Sequence, residues 1–452
     1  MAEIEEGWVT LETSLLFASG LLLIGLFLRA RVRVLQVCYV PAAIIGGLIG
    51  LVVLQAGPRV WDAGWIPDVS ELRTWPGWLI SVVFAGLFLD KPGRSLTENL
   101  GGAFRQGILV WIISLGQVSL GLLAVALIIQ PLELGPFGGD VPIYFGQLIE
   151  AGFVGGHGTS AALGAVYEKL GYPEARDLGF FMATVGLIYS VVSGMFFVNL
   201  GVRRGWTRTG ETRTAEITGI EEEGREVIGM GRVSAEVLDP LVFQGVILAG
   251  AFATGLALQK LAGFVYDGLP LFMFTLLGGW VVRDIFRVLG ISTLIDPVTV
   301  RRLSAAAMEF LIVAAIASLN LALVANAIVP LSILLVLGFV WGGVCLVYVG
   351  RRLLPAEHWF ELGILNYGMS TGVTATGLML LRIVDKDLDS GAAEHYALGG
   401  ALSFPFVGGG FATFAVFPFL IQGMGVGVLG FLLGVATVVI FGLGLVVTRR
   451  RQ

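Results

Sequence analysis

Two stretches rich in glycine and hydroxyl residues interrupt otherwise apolar sequence. They are Gly155-Gly156-His157-Gly158-Thr159-Ser160-Ala161-Ala162 and Tyr367-Gly368-Met369-Ser370-Thr371-Gly372-Val373-Thr374-Ala375-Thr376-Gly377. No Asp, Glu, Lys or Arg occurs between Glu150 and Glu168, or between Glu361 and Arg382. A helix this rich in glycine is not expected to run unbroken through lipid. Paired interruptions at corresponding places in the two halves of a chain are typical of a transporter's binding site.

The composition of the 452 residues indicates a helical protein that crosses a membrane many times. Hydrophobic residues make up 56% of the chain and charged residues 13%, and the mean hydropathy is +0.88. A soluble domain usually carries about twice that charge. The acidic start, Met1 to Glu6, lacks the basic region of a cleaved signal peptide, so we expect the first span to be retained.

The hydropathy pattern predicts a series of membrane crossings and two broken segments. The broken segments are 143–167 and 361–381, and each is long enough to enter and leave the membrane on one side as a re-entrant hairpin. The crossings are 10–28, 35–55, 77–90, 104–130, 177–200, 237–259, 268–283, 304–325, 329–350, 395–421 and 424–447.

The distribution of basic residues predicts the orientation. With the N-terminus outside and both broken segments folded as hairpins, all but five of the 28 lysines and arginines lie on the cytoplasmic side. The five on the outer side are Arg59, Arg73, Lys169, Arg176 and Lys260. Counting only one hairpin as a full crossing would invert the rest of the chain and remove this bias. We therefore expect a multi-pass protein of the inner or plasma membrane, with its C-terminus in the cytoplasm.

The order of features in the first half repeats in the second. A Gly-Gly pair at Gly46-Gly47 recurs at Gly278-Gly279, and both pairs are typical of close helix packing. Five crossings per repeat is an odd number, so the second copy is inverted and the two hairpin tips meet. The predicted fold is an all-α polytopic membrane protein with two inverted repeats, each of five transmembrane helices plus one re-entrant hairpin, and one extra C-terminal helix. The corresponding segments are 1–200, a cytoplasmic linker at 201–236, 237–422 and 423–452.

These motifs resemble the sodium/glutamate symporter family. The similarity lies in Gly155-Gly156-His157-Gly158-Thr159 with Ala161-Ala162, in the second-half run from Gly368 to Thr376, and in the helix from Pro41 to Gly47. Ser160 and Ser370 stand where that family usually has glycine. The resemblance implies a homodimer in a lipid bilayer that takes up L-glutamate with sodium as the coupling ion, with elevator-like motion.

The candidate site follows from the chemistry of the two stretches. Glycine backbone amides at a helix N-terminus bind anions, and hydroxyl groups add donors. We expect a small anionic substrate to be bound by Gly156, His157, Gly158, Thr159, Ser160, Gly368, Ser370, Thr371, Gly372 and Thr374. Oxygen ligands for sodium are expected from Asn320, Asn366 and Asp90. Glu150 and Glu361 are interpreted as helix-end charges, and Arg105 and Arg382 as cytoplasmic anchors. His157 is interpreted equally as a functional residue, either a substrate ligand or a proton site, or as a neutral partner of hairpin carbonyls.

Other functions remain open at this point. A proton-coupled transporter of dicarboxylates or other organic anions fits the same fold, and so does a passive channel. An enzyme is not expected, because His157, His358 and His395 are far apart in the sequence and no Cys/His cluster has metal-ligand spacing. No nucleotide-binding glycine loop ending in Lys-Ser/Thr occurs, which argues against an ATP-driven pump. We expect no nucleic-acid partner.

Overall fold

The computed structural model describes residues 2–37, 40–60, 68–87, 89, 100–136, 141–207, 238–264, 271–385 and 390–449. The described residues form helices and no β-strands, so the all-α prediction is confirmed. Most of the predicted linker at 201–236 and the candidate ion ligand Asp90 lie outside the described residues.

The described residues of the first half form eight α-helices. They are α1 (Ala2–Arg31), α2 (Arg33–Val37), α3 (Ala42–Val60), α4 (Val69–Leu87), α5 (Leu100–Ala124), α6 (Leu148–Gly152), α7 (Gly156–Lys169) and α8 (Ala175–Arg203). A π-helical turn at Val125–Ile129 continues α5, and a 3-10 turn at Ile143–Gln147 leads into α6.

The second half contributes the remaining helices. They are α9 (Pro240–Gly263), α10 (Leu271–Val288), α11 (Pro297–Ala317), α12 (Leu321–Asn326), α13 (Ile328–Val344), α14 (Arg351–Leu353), α15 (Trp359–Thr371), α16 (Thr374–Val384), α17 (Ala392–Ser403), α18 (Phe417–Met424) and α19 (Val426–Arg449). A π-helical turn at Cys345–Gly350 continues α13, as the turn at Val125–Ile129 continues α5. A 3-10 turn at Ser292–Leu294 precedes α11, and a π-helical turn at Ala412–Val416 precedes α18.

Six helices of the described residues are long and apolar enough to cross a membrane. They cover Glu12–Arg31, Gly101–Ile129, Ala175–Arg203, Pro240–Gly263, Ile328–Leu353 and Val426–Val446. Each corresponds to one predicted crossing. The other predicted crossings fall in shorter or more polar helices, such as α4, which carries Glu71 and Arg73 in its first two turns.

Two predicted crossings are wrong in detail. The predicted span 395–421 is not one helix, because α17 ends at Ser403 and residues 404–410 are non-helical. The predicted span 304–325 is likewise interrupted at 318–320, between α11 and α12. In the first case Pro405 cannot donate a helical hydrogen bond, and Gly408 and Gly409 adopt positive φ values of 69° and 101°.

A first bundle is formed by α1, α3, α4, α9, α10 and α11. The two Gly-Gly pairs hold it together in the same way. A Cβ atom at Gly46 would overlap the carbonyl oxygen of Leu21 in α1, and one at Gly278 would overlap that of Ala251 in α9. The second glycine of each pair faces the other half, Gly47 toward α11 and Gly279 toward α4. The prediction that these pairs serve close helix packing is confirmed.

A second bundle comprises α5, α6, α7, α8, α13 and α15 to α19. Long-range hydrogen bonds connect its helices: Ser119 Oγ donates to Gly430 O at 2.7 Å, and Trp341 Nε1 donates to Ile113 O at 3.1 Å. The two bundles meet where α7 and α8 pack against α4 and α11. Each bundle takes helices from both halves of the chain.

Candidate functional site

The first glycine-rich stretch forms a helix, a break and a second helix. The break is Phe153-Val154-Gly155 between α6 and α7, and Gly156 starts α7 with a φ of +63°, which favours glycine. The chain folds back at this point, since Ser160 Oγ lies 3.2 Å from the carbonyl oxygen of Ala151 in α6. The same hydroxyl lies 3.1 Å from Gly179 O in α8, so it joins both arms to the next helix.

The second stretch is broken in the same manner. Gly372 and Val373 separate α15 from α16, and Val373 has an extended conformation with φ −140° and ψ 162°. The two helices pack closely, because a Cβ atom at Gly368 would lie 2.6 Å from the Cα atom of Gly377. Glycine at both positions allows the arms of the hairpin to touch through their backbones.

The two breaks lie against each other. A Cβ atom at Gly156 would be 3.2 Å from Val373 Cγ1 and 3.5 Å from Gly372 O. The N-cap residues of α7 and α16 are Gly155 and Val373, and neither offers a side-chain acceptor to the first amides of its helix. Two helix N-termini without side-chain caps, each with a positive dipole end, therefore meet at one place, as an anion-binding site requires.

A third break in the helices, which was not predicted from the sequence, packs against the first hairpin. It is the glycine loop, residues 404–410, between α17 and α18. A Cβ atom at Gly408 would lie 2.5 Å from Val154 Cγ1, and one at Gly409 would overlap the side chain of Thr159. The signal for this loop was present in the sequence, as Pro405 followed by three consecutive glycines.

His157 is buried, with 1% of its surface exposed, and its tautomer follows from its neighbours. Its Nε2 lies 3.0 Å from Thr184 Oγ1, and that hydroxyl donates to Phe180 O at 2.8 Å. Since the hydroxyl proton is used, Nε2 carries the imidazole proton and Nδ1 is an acceptor. Nδ1 has no hydrogen-bond partner among the described residues.

Glu150, in α6, is fully buried. Its Oε1 accepts hydrogen bonds from Gly408 N at 2.8 Å and from Thr413 Oγ1 at 2.7 Å. Glu361, at the equivalent place in α15, is 1% exposed. Both carboxylates lie at the start of a helix, as expected, but neither is a solvated helix-end charge.

Comparison with protein families identifies the chain. The family described as sodium/glutamate symporter matches residues 9–384, which include both hairpins. The chain belongs to the sodium/glutamate symporter family. No curated protein matches it. Membership makes the chain a membrane transporter of a family named for sodium and glutamate, and the glycine loop and α19 lie beyond the matched region.

The symporter's second hairpin uses several predicted site residues to complete its own structure. Ser370 Oγ and Thr371 Oγ1 both donate to Tyr367 O, at 3.3 and 2.6 Å. Thr374 Oγ1 lies 3.2 Å from the Tyr396 hydroxyl. A Cβ atom at Gly372 would lie 3.0 Å from Ser190, so Gly372 is pressed against α8.

Gly158, on the first hairpin, faces the first bundle. A Cβ atom there would lie 2.9 Å from Met308 Cε and 3.2 Å from Ile80 Cδ1. These residues belong to α11 and α4. The side of α7 that carries Gly158 is therefore the contact surface between the two bundles.

Of the predicted sodium ligands, Asn320 and Asn366 are not brought together, and Asp90 lies outside the described residues. Asn366 exchanges two hydrogen bonds with Gln106 in α5, at 2.7 and 2.8 Å. The side chain of Asn320 caps α12 by accepting from Leu323 N at 3.1 Å. The backbone nitrogen of Asn320 lies 3.4 Å from Asp177 Oδ1. The two asparagines thus sit in different parts of the protein and serve local structure.

A cavity of about 310 Å³ opens between the bundles at the far end of α7. Arg73 of α4 lies in it, donates to Ser318 O at 3.2 Å and is 4.0 Å from the Asp177 carboxylate. Arg176 donates to Arg73 O and forms an ion pair with Glu168. The sequence analysis counted both arginines only as outer-side charges.

The inner end of this cavity reaches toward the hairpin. Phe180 lines the cavity, and its ring stacks on that of His157 with centroids 6.3 Å apart. One aromatic ring therefore separates the cavity from the imidazole. Arg105 and Arg382, the arginines considered from sequence, are not among the residues that line it.

Proposed function

We propose that the protein takes up L-glutamate, or a related small anion, together with sodium. The observation that carries this proposal is the meeting of two uncapped helix N-termini, those of α7 and α16, at the contact of Gly156 with Val373. Buried N–H groups and aligned helix dipoles stabilise a carboxylate where water is scarce. Two uncapped helix N-termini at one buried place repel each other electrostatically unless an anion lies between them.

The substrate contacts we propose come mainly from the first hairpin. The amides of Gly156, His157 and Gly158 have no intrahelical acceptor by helix geometry. His157 Nδ1 is available as an acceptor for the α-ammonium group of an amino acid. Ser370, Thr371 and Thr374 act here by shaping the second hairpin, and their hydroxyls contribute only after the hairpin rearranges.

The proposed access path is the cavity between the bundles. The cavity is lined by both cationic and anionic side chains: Arg73 lies 4.0 Å from Asp177, Arg176 pairs with Glu168, and Glu174 also lines it. We propose that the two guanidinium groups guide the substrate carboxylates past these acidic neighbours. Phe180 lies between this cavity and His157 and would have to turn aside for a substrate to pass. We infer that the cavity opens to the outer side of the membrane, in agreement with the predicted orientation.

Inverted repeats with re-entrant hairpins are our proposal for the architecture. It is supported by the like packing of Gly46 and Gly278, by the π-helical turns that follow α5 and α13, and by one hairpin in each half. Movement of the second bundle along the first, with the first bundle as the dimer scaffold, would give elevator-type alternating access. The N-terminus is proposed to be outside and the C-terminus in the cytoplasm.

The test is transport by the purified protein in liposomes. We expect saturable uptake of radiolabelled L-glutamate or L-aspartate with an inward sodium gradient, and background uptake when potassium replaces sodium. Uptake driven equally by a proton gradient without sodium would favour the proton-coupled alternative. A flux that rises linearly with substrate concentration would contradict the proposal and indicate a channel.

A further inference from the structure

The carboxylate of Glu150 presents a charge problem that the hairpin alone does not solve. The side chain is fully buried, yet none of the described ion pairs involves it. An isolated ionised carboxylate in a low-dielectric interior is strongly destabilising unless a cation or a network of donors compensates it. The surroundings of its two oxygens show which of these applies.

The hydrogen-bond direction around Glu150 can be followed from an atom that can only donate. Gly409 N donates to Thr413 Oγ1 at 3.2 Å, so the Thr413 hydroxyl is free to donate onward to Glu150 Oε1 at 2.7 Å. Gly408 N also donates to Oε1, at 2.8 Å. Oε1 therefore has two donors and acts as an acceptor, which leaves the other oxygen as the place where a proton or a cation would compensate the charge.

The other oxygen, Oε2, is buried and has no partner among the described residues. A second unpartnered oxygen lies close by, because Ser114 Oγ is 3.8 Å from the position that a Cβ atom of Gly408 would take. One helical turn further along α5, the buried Gln117 donates through Nε2 to Ser370 O at 2.9 Å, and its Oε1 is also without a partner. Ser114 Oγ of α5 and the Glu150 carboxylate of α6 thus lie next to Gly408 of the glycine loop.

We propose that Glu150, with Ser114 and the glycine loop, binds a sodium ion. The ion would neutralise the buried carboxylate through Oε2 and complete its coordination with hydroxyl and backbone oxygens, which hard cations prefer. The positive φ values of Gly408 and Gly409 shape the loop that reaches this carboxylate, and Gly408 N lies 2.8 Å from its Oε1.

The position of this site gives it a direct link to transport. Thr159 lies in the first turn of α7, and a Cβ atom at Gly409 would overlap its side chain. An ion that orders the glycine loop therefore also orders the N-terminus of α7, where we place the substrate carboxylate. The coupling between this sodium ion and the substrate rests on the proposed function. Sodium binding itself is measured without substrate.

The test compares sodium binding by variants of the purified full-length protein. Thermal unfolding is followed in sodium chloride and in choline chloride at equal ionic strength, and radioactive sodium binding is measured alongside. We expect saturable sodium stabilisation of the wild type and at least a tenfold weaker sodium affinity for Glu150→Gln. The Glu361→Gln variant is the matched control, because its carboxylate lies in the first turn of the longer α15, where the helix dipole supports the charge.

Three results would overturn the site. The first is an unchanged sodium affinity in Glu150→Gln, and the second is an equal loss of sodium affinity in Glu361→Gln. The third is a Glu150→Gln variant whose unfolding temperature no longer depends on pH but still rises with sodium, which would make Glu150 a proton site. If Glu150→Gln does not fold, Ser114→Ala serves in its place. We expect this variant to weaken sodium affinity at least threefold, and an unchanged value would equally overturn the site.

The two proposals fail separately. If the wild type binds sodium and Glu150→Gln does not, but no glutamate or aspartate uptake occurs, the proposed substrate is wrong and the ion site stands. If sodium-driven uptake occurs and Glu150→Gln keeps the wild-type sodium dependence, the ion site is wrong and the proposed function stands.

Discussion

At the scale of single residues, the buried polar groups fall into two classes. The hydroxyls of Ser370 and Thr371 are satisfied within their own helix, whereas His157 Nδ1 and Glu150 Oε2 have no partner among the described residues. Buried polar atoms are normally hydrogen-bonded, and unsatisfied ones within a membrane protein mark functional positions. The sequence indicated His157 but not the burial of Glu150, because a glutamate at a helix start is most often solvated.

The orientation of His157 can be tested through the hydroxyl that holds it. Thr184→Val removes the acceptor of the Nε2 proton with little change in shape, so we expect the KM for uptake to rise about fivefold, corresponding to roughly 1 kcal/mol for one hydrogen bond. The measurement is the concentration dependence of uptake in liposomes. Thr254→Val in α9 is the control, since its hydroxyl also donates to a carbonyl one turn back, at 2.8 Å. Equal effects of the two changes would refute a role for Thr184 in positioning His157.

At the scale of the elements, helix breaks determine where the backbone is open to ligands. The two hairpin breaks were predictable, because glycine and hydroxyl residues in apolar sequence are a local signal. The break at 404–410 was equally visible as Pro405 with three glycines, but the hydropathy of the segment favoured a continuous span. Hydropathy measures the cost of burying side chains, and it does not report whether the backbone remains helical.

The contact surface of α7 gives a prediction at this scale. Gly158→Leu places a branched side chain against Met308 and Ile80, and overpacking of this kind costs about 1–3 kcal/mol. We expect uptake to fall more than tenfold while the protein still inserts and remains monodisperse in detergent. Gly245→Leu in α9 is the control, because no atom lies within 4 Å of a Cβ atom there. Wild-type transport by Gly158→Leu would show that α7 is not held against the first bundle during transport.

At the scale of the whole molecule, the two bundles differ in how they are packed. The first is held by backbone contacts at the Gly-Gly pairs, whereas the second carries the two hairpin breaks, the glycine loop and the buried side chains of Glu150 and His157. Their interface at α7 and α8 includes the solvent-accessible cavity with Arg73 and Asp177. A closely packed scaffold beside a bundle with a wet interface is the arrangement that relative sliding requires.

Cross-linking between the bundles tests this movement. In a background without Cys38 and Cys345, we expect mercuric ion to bridge Gly158→Cys and Met308→Cys and to stop uptake, with recovery after addition of excess thiol. Recovery shows that the block comes from the bridge, since damage caused by the substitutions themselves is not reversed. The measurement is uptake in liposomes before treatment, after mercury and after thiol.

The matching control is a bridge inside the first bundle. A Cβ atom at Gly47 would lie 2.8 Å from the Cβ atom of Ile316, so Gly47→Cys with Ile316→Cys joins α3 to α11. Uptake by this variant is expected to continue after cross-linking, because the proposed elevator motion leaves these two helices fixed relative to each other. Inhibition by both bridges to the same extent would argue against elevator-type motion.

Composition and local pattern alone determined the membrane class, the two hairpin breaks, the role of the Gly-Gly pairs and the family resemblance. These properties depend on side-chain type and on residues close in sequence, which hydropathy and glycine content report directly. Only the tertiary structure decided that Glu150 meets Gly408 and Thr413, residues 258 and 263 positions away. It also decided that Asn366 is occupied by Gln106. Such contacts arise from the packing of whole helices, and no local pattern specifies which buried oxygen finds a donor and which is left for an ion.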